Sequence, residues 1–272
     1  MLKERPNLFY DKIRVGSVYG NFPGMIWNGG RCLEGEPTLK EIISTIEIFN
    51  KRNIPIRFTC TNGLVQSCHL LDKFANTCLS LADNGMNEII VNSSILEEYL
   101  REKYPNFKYI SSTTKCLLNK EKIKEEGKTY YLTVLDYRYN KNIDFLKTLN
   151  PSQYELLLNP YCGIKCPCRS EHYNLISQIE LGEKIENVDE LLNGCQYIDG
   201  FFEALKKSEG LIKVEELYST YSDMGFKDFK IEGRKNSITD VLESYLYYMV
   251  KPEKKDYVRY LTFKYAFEQI YN

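Results

Sequence analysis

The sequence predicts a (β/α)8 TIM-like barrel, irregular around strands 6–7. Two observations carry this. Short apolar runs alternate with longer amphipathic ones in eight steps over about 250 residues, the usual size of such a barrel. No glycine-rich dinucleotide fingerprint follows the first strand, which weakens the open doubly wound sheet as the competing architecture. The chain has 272 residues, 43% of them apolar, enough for a sizeable core. It reads as a single domain over residues 1–272, with a helical extension over about 252–272.

The elements follow in order. The first strand is expected at residues 13–19. A helix over 39–52 places Ile42, Ile43, Ile46 and Phe49 on one face, and Thr38 with Glu41 forms a capping-box pattern at its start. Strands are expected at 54–60, 88–92, 108–112, 130–135 and 154–158, with helices at 70–82, 95–103, 121–126 and 143–149 between them. The rhythm then breaks. Residues 160–210 hold a cysteine-rich loop, a helix over 170–181 and an irregular stretch. A short seventh strand is expected near 211–214 and an eighth at 226–231. A helix over 237–249 is stopped by Pro252, and the amphipathic segment 257–271 packs on the outside.

Charge and composition narrow the partners. With 36 basic and 37 acidic residues the net charge is −1, so nucleic acid is not indicated by net charge. The absence of an apolar start or an 18-residue apolar run predicts a cytoplasmic chain with neither secretory signal nor membrane span. Nine cysteines, an odd number, fit thiols that are free or metal-bound in a reducing compartment.

Three of those nine cysteines, Cys162, Cys166 and Cys168, fall within seven residues, directly before Arg169. Soft thiolates at such spacing suit zinc, copper(I) or iron–sulfur centres. The alternative is burial as small hydrophobes, which suits Cys60, Cys78 and Cys116 within or beside expected elements. His172 is a candidate acid/base, with a capping or packing role on its helix as the alternative.

Active sites of this fold lie at the C-terminal ends of the strands. Candidate substrate-binding residues there are Asn21, Asn62, Asn92, Ser112, Asp136 and Asn159, joined by Arg31 and Trp27 from a long first loop. That loop carries the only tryptophan. It can fold over the mouth and present Arg31 to an anionic group, or it can be a surface loop with Trp27 as its packing anchor.

Lys230-Ile231-Glu232-Gly233-Arg234, preceded by Met224-Gly225 and downstream of the cysteines, resembles the signature of the U32 peptidase-like family. The resemblance is clearest over about residues 88–250. It implies a barrel closed by this strand, and either collagenase-like peptidase activity or the oxygen-independent hydroxylation of some relatives. Those relatives modify RNA bases or a quinone precursor and carry a [4Fe–4S] cluster on four cysteines. Carried over, this makes Lys230, Glu232 and Arg234 catalytic candidates beside His172. It also makes Cys162, Cys166, Cys168 and Cys195 the expected ligands. Cys32 or His172 competes for the fourth position, and zinc on Cys162, Cys166, Cys195 and His172 is the alternative metal. The family's usual two separated cysteine pairs are not present in that form. The competing reading of Lys230, Glu232 and Arg234 is an internal ion pair that closes the barrel.

The expected function is an iron–sulfur-dependent hydroxylation, or a related redox modification, of a small-molecule or RNA-borne substrate. The alternatives are a peptidase acting on peptides, or a non-catalytic chain with a structural metal working beside a homologous partner subunit. Neither His-Glu-x-x-His nor Gly-x-Ser-x-Gly occurs, so hydrolysis has no motif of its own here.

Overall fold

A computed structural model of the chain describes residues 1–198, 202–233 and 237–271. Seven parallel strands lie in sequence order: β1 (Val18–Gly20), β2 (Ile56–Cys60), β3 (Glu88–Val91), β4 (Lys108–Ser111), β5 (Leu132–Val134), β6 (Tyr154–Leu157) and β7 (Asp228–Lys230). Between them run α1 (Leu39–Asn50), α2 (Lys73–Ala82), α3 (Ser94–Lys103), α4 (Lys120–Thr129) and α5 (Ile143–Leu146). After β6 come α6 (Arg169–Glu180), α7 (Val188–Leu191), α8 (Phe202–Leu205) and α9 (Val214–Glu216). After β7 come α10 (Ile238–Met249) and α11 (Lys255–Tyr271).

The helices start where side chains cap them. Thr38 and Glu41 form a reciprocal capping box on α1, and Asp72, Ser93, Asn119 and Ser237 accept first-turn amides on α2, α3, α4 and α10. The outer faces of β2 and β3 bury Ile56, Phe58, Cys60, Ile89 and Val91 in one core with Ile42 and Ile46 of α1, Leu79 of α2 and Leu96 of α3. A second core joins Tyr154, Leu156 and Leu158 to Leu211, Ile212, Val214, Tyr221, Phe226 and Tyr248.

Alternation along the strands fills the lumen in layers. At the base, Arg57 of β2 donates to Glu88 of β3 at 2.7 Å and, across the lumen, to Glu155 of β6 at 2.6 Å. Above it Ile90, Ile110, Leu132 and Val134 pack with Tyr19. Lys230 places its ammonium 3.8 Å from the centre of the Tyr19 ring.

The sheet corrects the expected closed eight-stranded barrel in two ways. It is an open curled sheet: among the described residues no ladder joins β1 to β7. A side chain spans that seam, the Tyr19 hydroxyl donating to the Ile231 carbonyl at 2.8 Å. And residues 211–214 are not a strand. β6 pairs directly with β7, Glu155 opposite Asp228 and Leu157 opposite Lys230, which leaves no slot between them. The apolar run at 211–214 instead buries Leu211, Ile212 and Val214 in the second core. The first strand also starts later than expected, at Val18.

Candidate active site at the barrel mouth

Helix α6 lies across the mouth. Residues 169, 173, 177 and 180 share one face at helical spacing, and that face meets loops from opposite sides of the sheet. At the start of α6, Arg169 donates to the Thr113 carbonyl and hydroxyl after β4, at 3.1 and 3.0 Å, and reaches Asp136 after β5 at 3.4 Å. Near its end, the Ser177 carbonyl accepts from Asn62 after β2 at 3.0 Å. Glu180 accepts from the Leu33 amide at 3.3 Å and from Asn28 at 3.5 Å in the first loop.

That loop is held tightly. Asn28, fully buried, donates to the Arg31 carbonyl and accepts from Thr59 at 3.1 Å. The Gly29 amide donates to Thr61 at 3.2 Å. A Cβ on Gly29 would stand 2.5 Å from the Thr61 carbonyl, so only glycine passes there.

The clamped loop aims Arg31 at Glu232, and the two side chains form an ion pair. Glu232 is held from below. Asn159, fully buried after β6, donates to the Glu232 carbonyl at 2.7 Å and accepts from its amide at 2.6 Å. Arg31 is only 9% exposed at its side chain and Glu232 25%, so the carboxylate faces both the arginine and the open mouth. Asn21 donates to the Thr59 carbonyl at 3.1 Å and keeps a buried amide oxygen without a partner.

The cysteine loop meets the same helix: Tyr173 interacts with both Cys162 and Glu232. Cys162 forms an antiparallel bridge with Tyr197, and the Gly163 amide donates to the Gln196 carbonyl at 2.9 Å. This staples residues 162–168 to residues 193–198. The Gln196 amide donates to Cys166 Sγ at 3.4 Å, and the Cys162 and Cys195 thiols also hydrogen-bond Cys166. Burial works to raise the Cys166 thiol, but these donors together hold it below an ordinary thiol. Burial pushes Cys162 up to about 12, opposed by the Tyr137 hydroxyl. Cys168 turns its sulfur to the Asn193 carbonyl at 3.0 Å.

The four expected cysteines therefore gather in one place, as a string of thiol contacts centred on Cys166. Among the described residues no three His, Cys, Asp or Glu side chains converge on a point at metal-ligand distance. By donor chemistry the set suits a soft metal. By geometry Cys168 would have to release Asn193 to join.

Arg169 ties the cysteine loop to the mouth. Its guanidinium lies 4.0 Å from the centre of the Tyr137 ring and 5.6 Å from that of Tyr173, and its Nε is buried without a partner. Burial raises Tyr173 to about 12, Arg169 opposing and Glu232 reinforcing the shift.

A solved structure, that of the U32 peptidase Mk0906, superposes on 82% of this chain and 87% of its own with a TM-score of 0.52 and 12% identity. The chain has the U32 peptidase fold. In sequence it is 24% identical over 236 residues to an uncharacterized protease of Methanocaldococcus jannaschii, covering 81% of this chain and 68% of that protein. No family model matches. No helix among the described residues is long and apolar enough to cross a membrane.

In this U32-like chain the candidate residues fall into groups. Arg31, Glu232 and Asn159 meet at the mouth, and Asn62 sits under α6. Asp136 is 3% exposed and is taken up by Arg138, at 2.8 and 2.9 Å, and by Arg169. Asn92 and Ser112 both bond Thr114, at 2.9 and 2.8 Å, on the rim. Trp27 is fully buried, its indole donating to the His69 carbonyl at 3.0 Å, which makes it the packing anchor of the loop. Lys230 points into the lumen against Tyr19, and His172 is half-buried on α6. Cys32 is exposed on the first loop. Arg234 lies outside the described residues.

Sequence reasoning did not single out Asn28, Tyr137, Arg169, Tyr173 or Glu180. One signal was available: Arg169, Tyr173, Ser177 and Glu180 put polar groups at helical spacing directly after the cysteines. A polar stripe of that kind normally faces water, so its burial here is legible only once the helix is seen to cross the mouth.

Proposed function

We propose that this chain is an enzyme of U32-like fold that carries out a redox modification, an oxygen-independent hydroxylation or a related reaction, on a small-molecule or RNA-borne substrate. The reaction takes place at the mouth beside a metal held by Cys162, Cys166, Cys168 and Cys195. The observation that carries this reading is the gathering of four sulfurs, drawn from residues 162–195, around Cys166, with Tyr173 of α6 interacting with both Cys162 and Glu232. Bound there, an iron–sulfur cluster would supply one-electron chemistry without oxygen. The protein's own part follows from the geometry. An anionic substrate group entering the mouth competes with Glu232 for Arg31. Glu232, freed from its partner and fixed through its backbone by Asn159, is then placed to take a proton from the substrate. Tyr173 and α6 above them limit access of water to the same space.

The names of the two similar proteins favour a second reading, peptide hydrolysis at the same mouth. There Glu232 would activate water instead.

The decisive experiment is anaerobic purification followed by metal analysis and visible and EPR spectra. About four irons with a cluster spectrum is the expected result; a colourless protein with a single zinc would sink the redox reading. For the second reading, a peptide library cleaved by the wild type and left intact by Glu232→Gln would establish hydrolysis. Cleavage that survives Glu232→Gln would remove Glu232 from it.

A further inference from the structure

Arg169 and Tyr137 are only 4% and 3% exposed, and each keeps a buried polar atom unsatisfied. They reach one place from different elements. Tyr137 follows β5 in a turn that Asp136 caps through the Arg138 amide at 3.0 Å. Arg169 opens α6, directly after Cys168. Its guanidinium lies 4.0 Å from the centre of the Tyr137 ring. Thr113 and Asp136 take up its two terminal nitrogens, while Nε is left over. The Tyr137 hydroxyl makes no full hydrogen bond; the group it addresses is the Cys162 sulfur, on which Arg169 also acts. Burial works against a charged Cys162 sulfur, and the Tyr137 hydroxyl and Arg169 both favour it. Two unsatisfied polar atoms on stacked side chains, both acting on one cysteine, call for a charge there.

The charges around them do not balance either. Among the described residues Asp136 is the one carboxylate that pairs with Arg138 or Arg169, at 2.8 and 3.4 Å. Two guanidinium groups share one carboxylate, and a positive charge is left over. Buried charge without a counter-charge is costly, so an anion belongs beside it. The nearby Cys116 and Tyr173 are not that anion. Burial raises the Cys116 thiol above its ordinary range and Tyr173 to about 12, so both stay neutral. What remains is the sulfur loop, whose donors are anionic once they hold a metal.

We propose that Arg169 and Tyr137 compensate the negative charge of a thiolate-bound metal centre on the cysteine loop and thereby set its reduction potential. This rests on the reading of Cys162, Cys166, Cys168 and Cys195 as metal ligands. A cation over the face of a phenol ring strengthens its hydroxyl as a donor. Tyr137 completes its hydrogen bond on the Cys162 sulfur, and Arg169 adds a positive charge behind it. Hydrogen bonds to sulfur and net local charge are what tune such centres. Both residues favour the more negative, reduced state, so both raise the potential, and both strengthen the hold on a metal cation through its thiolates. They act through Cys162 and are positioning residues.

The test is a redox titration of the full chain, reconstituted anaerobically with iron and sulfide and followed by EPR. The affinity of the apo-protein for Cd²⁺ is the second measurement, and it decides for any variant that does not keep the iron centre. Arg169→Gln should disfavour reduction about tenfold, or about 59 mV for one electron. Tyr137→Phe keeps the packing and should shift the potential the same way by a smaller amount. Arg169→Lys keeps the charge and should recover most of the shift. Cd²⁺ affinity should fall about 10–100-fold in Arg169→Gln and less in Tyr137→Phe. Wild-type potential and Cd²⁺ affinity in both Arg169→Gln and Tyr137→Phe would overturn the proposal and leave the metal reading standing. A shift in Arg169→Gln that Arg169→Lys does not reverse would reduce Arg169 to packing and overturn it as well. A wild type that takes up neither iron nor Cd²⁺ would overturn the metal reading, and this proposal with it.

Discussion

Two arginine–carboxylate sites sit at opposite ends of the same lumen, and they are built to different ends. At the base, Arg57 holds Glu88 and Glu155 with every side chain about 6–7% exposed. Burial opposes the charge on Arg57, but the two carboxylates outweigh it and lift the guanidinium pKa well above its usual value. Nothing from solvent can compete there. At the mouth, Arg31 is equally secluded, but its partner Glu232 is a quarter exposed and belongs to a loop. The same chemistry is closed in one place and exchangeable in the other. An arginine and a glutamate do not by themselves make a site; the uncovered quarter of the carboxylate does.

That contrast can be broken by mutation. The largest effect is expected from Arg57→Ala, which strands two buried carboxylates and should cost about 3–5 kcal/mol in chemical denaturation. Activity would go with the fold. Asn159→Ala should come next. It leaves the Glu232 amide and carbonyl without partners, for a loss of about 1–3 kcal/mol, and loosens Glu232, so kcat should fall while the structure persists. Gly29→Ala should cost a similar or smaller amount through overpacking against Thr61 and Asn62. Its mark should be weakened substrate binding, because it displaces Arg31. Arg31→Gln and Glu232→Gln should cost less than Arg57→Ala, about 1–3 kcal/mol because Arg31 is secluded, and abolish turnover. If either unfolds the chain as Arg57→Ala does, the mouth pair is structural and the comparison fails.

The smallest effect sharpens the base. Burial, reinforced by the nearby Glu155, raises the Asp228 carboxyl above its ordinary range against the pull of Arg57. A carboxyl raised on folding lowers stability once pH exceeds its unfolded pKa of about 3.9. Asp228→Asn should therefore raise the melting temperature at neutral pH, and the gain should fade as pH falls through the folded pKa towards the unfolded one. A gain that grows in acid would reverse the sign of this argument.

The regular part of the fold was legible because local signals agree with it. β2 to β6 are short apolar runs, and the helices between them begin at Thr38, Asp72, Ser93 and Asn119, each a cap. The irregular part was not. Leu211, Ile212 and Val214 form an apolar run whatever buries them, and only the direct pairing of β6 with β7 shows that a core rather than a ladder does so. At the site, Arg31 and Glu232 could each be named from sequence, but they are 201 positions apart and no local pattern predicts that they meet. Asn159 reads as a mouth residue, while its reciprocal hold on the Glu232 backbone is a property of the folded chain alone.

The position of α6 also has a consequence for how the chain comes together. Its contacts to the first loop and to the end of β2 join residues 115 to 152 positions apart. Contacts of such separation form late, because the chain between them must be ordered first. Residues 28–33 therefore wait for a helix made far downstream before they settle. The Leu33 amide, held only once Glu180 arrives, should gain protection from hydrogen exchange later in refolding than the amides of β2 and β3.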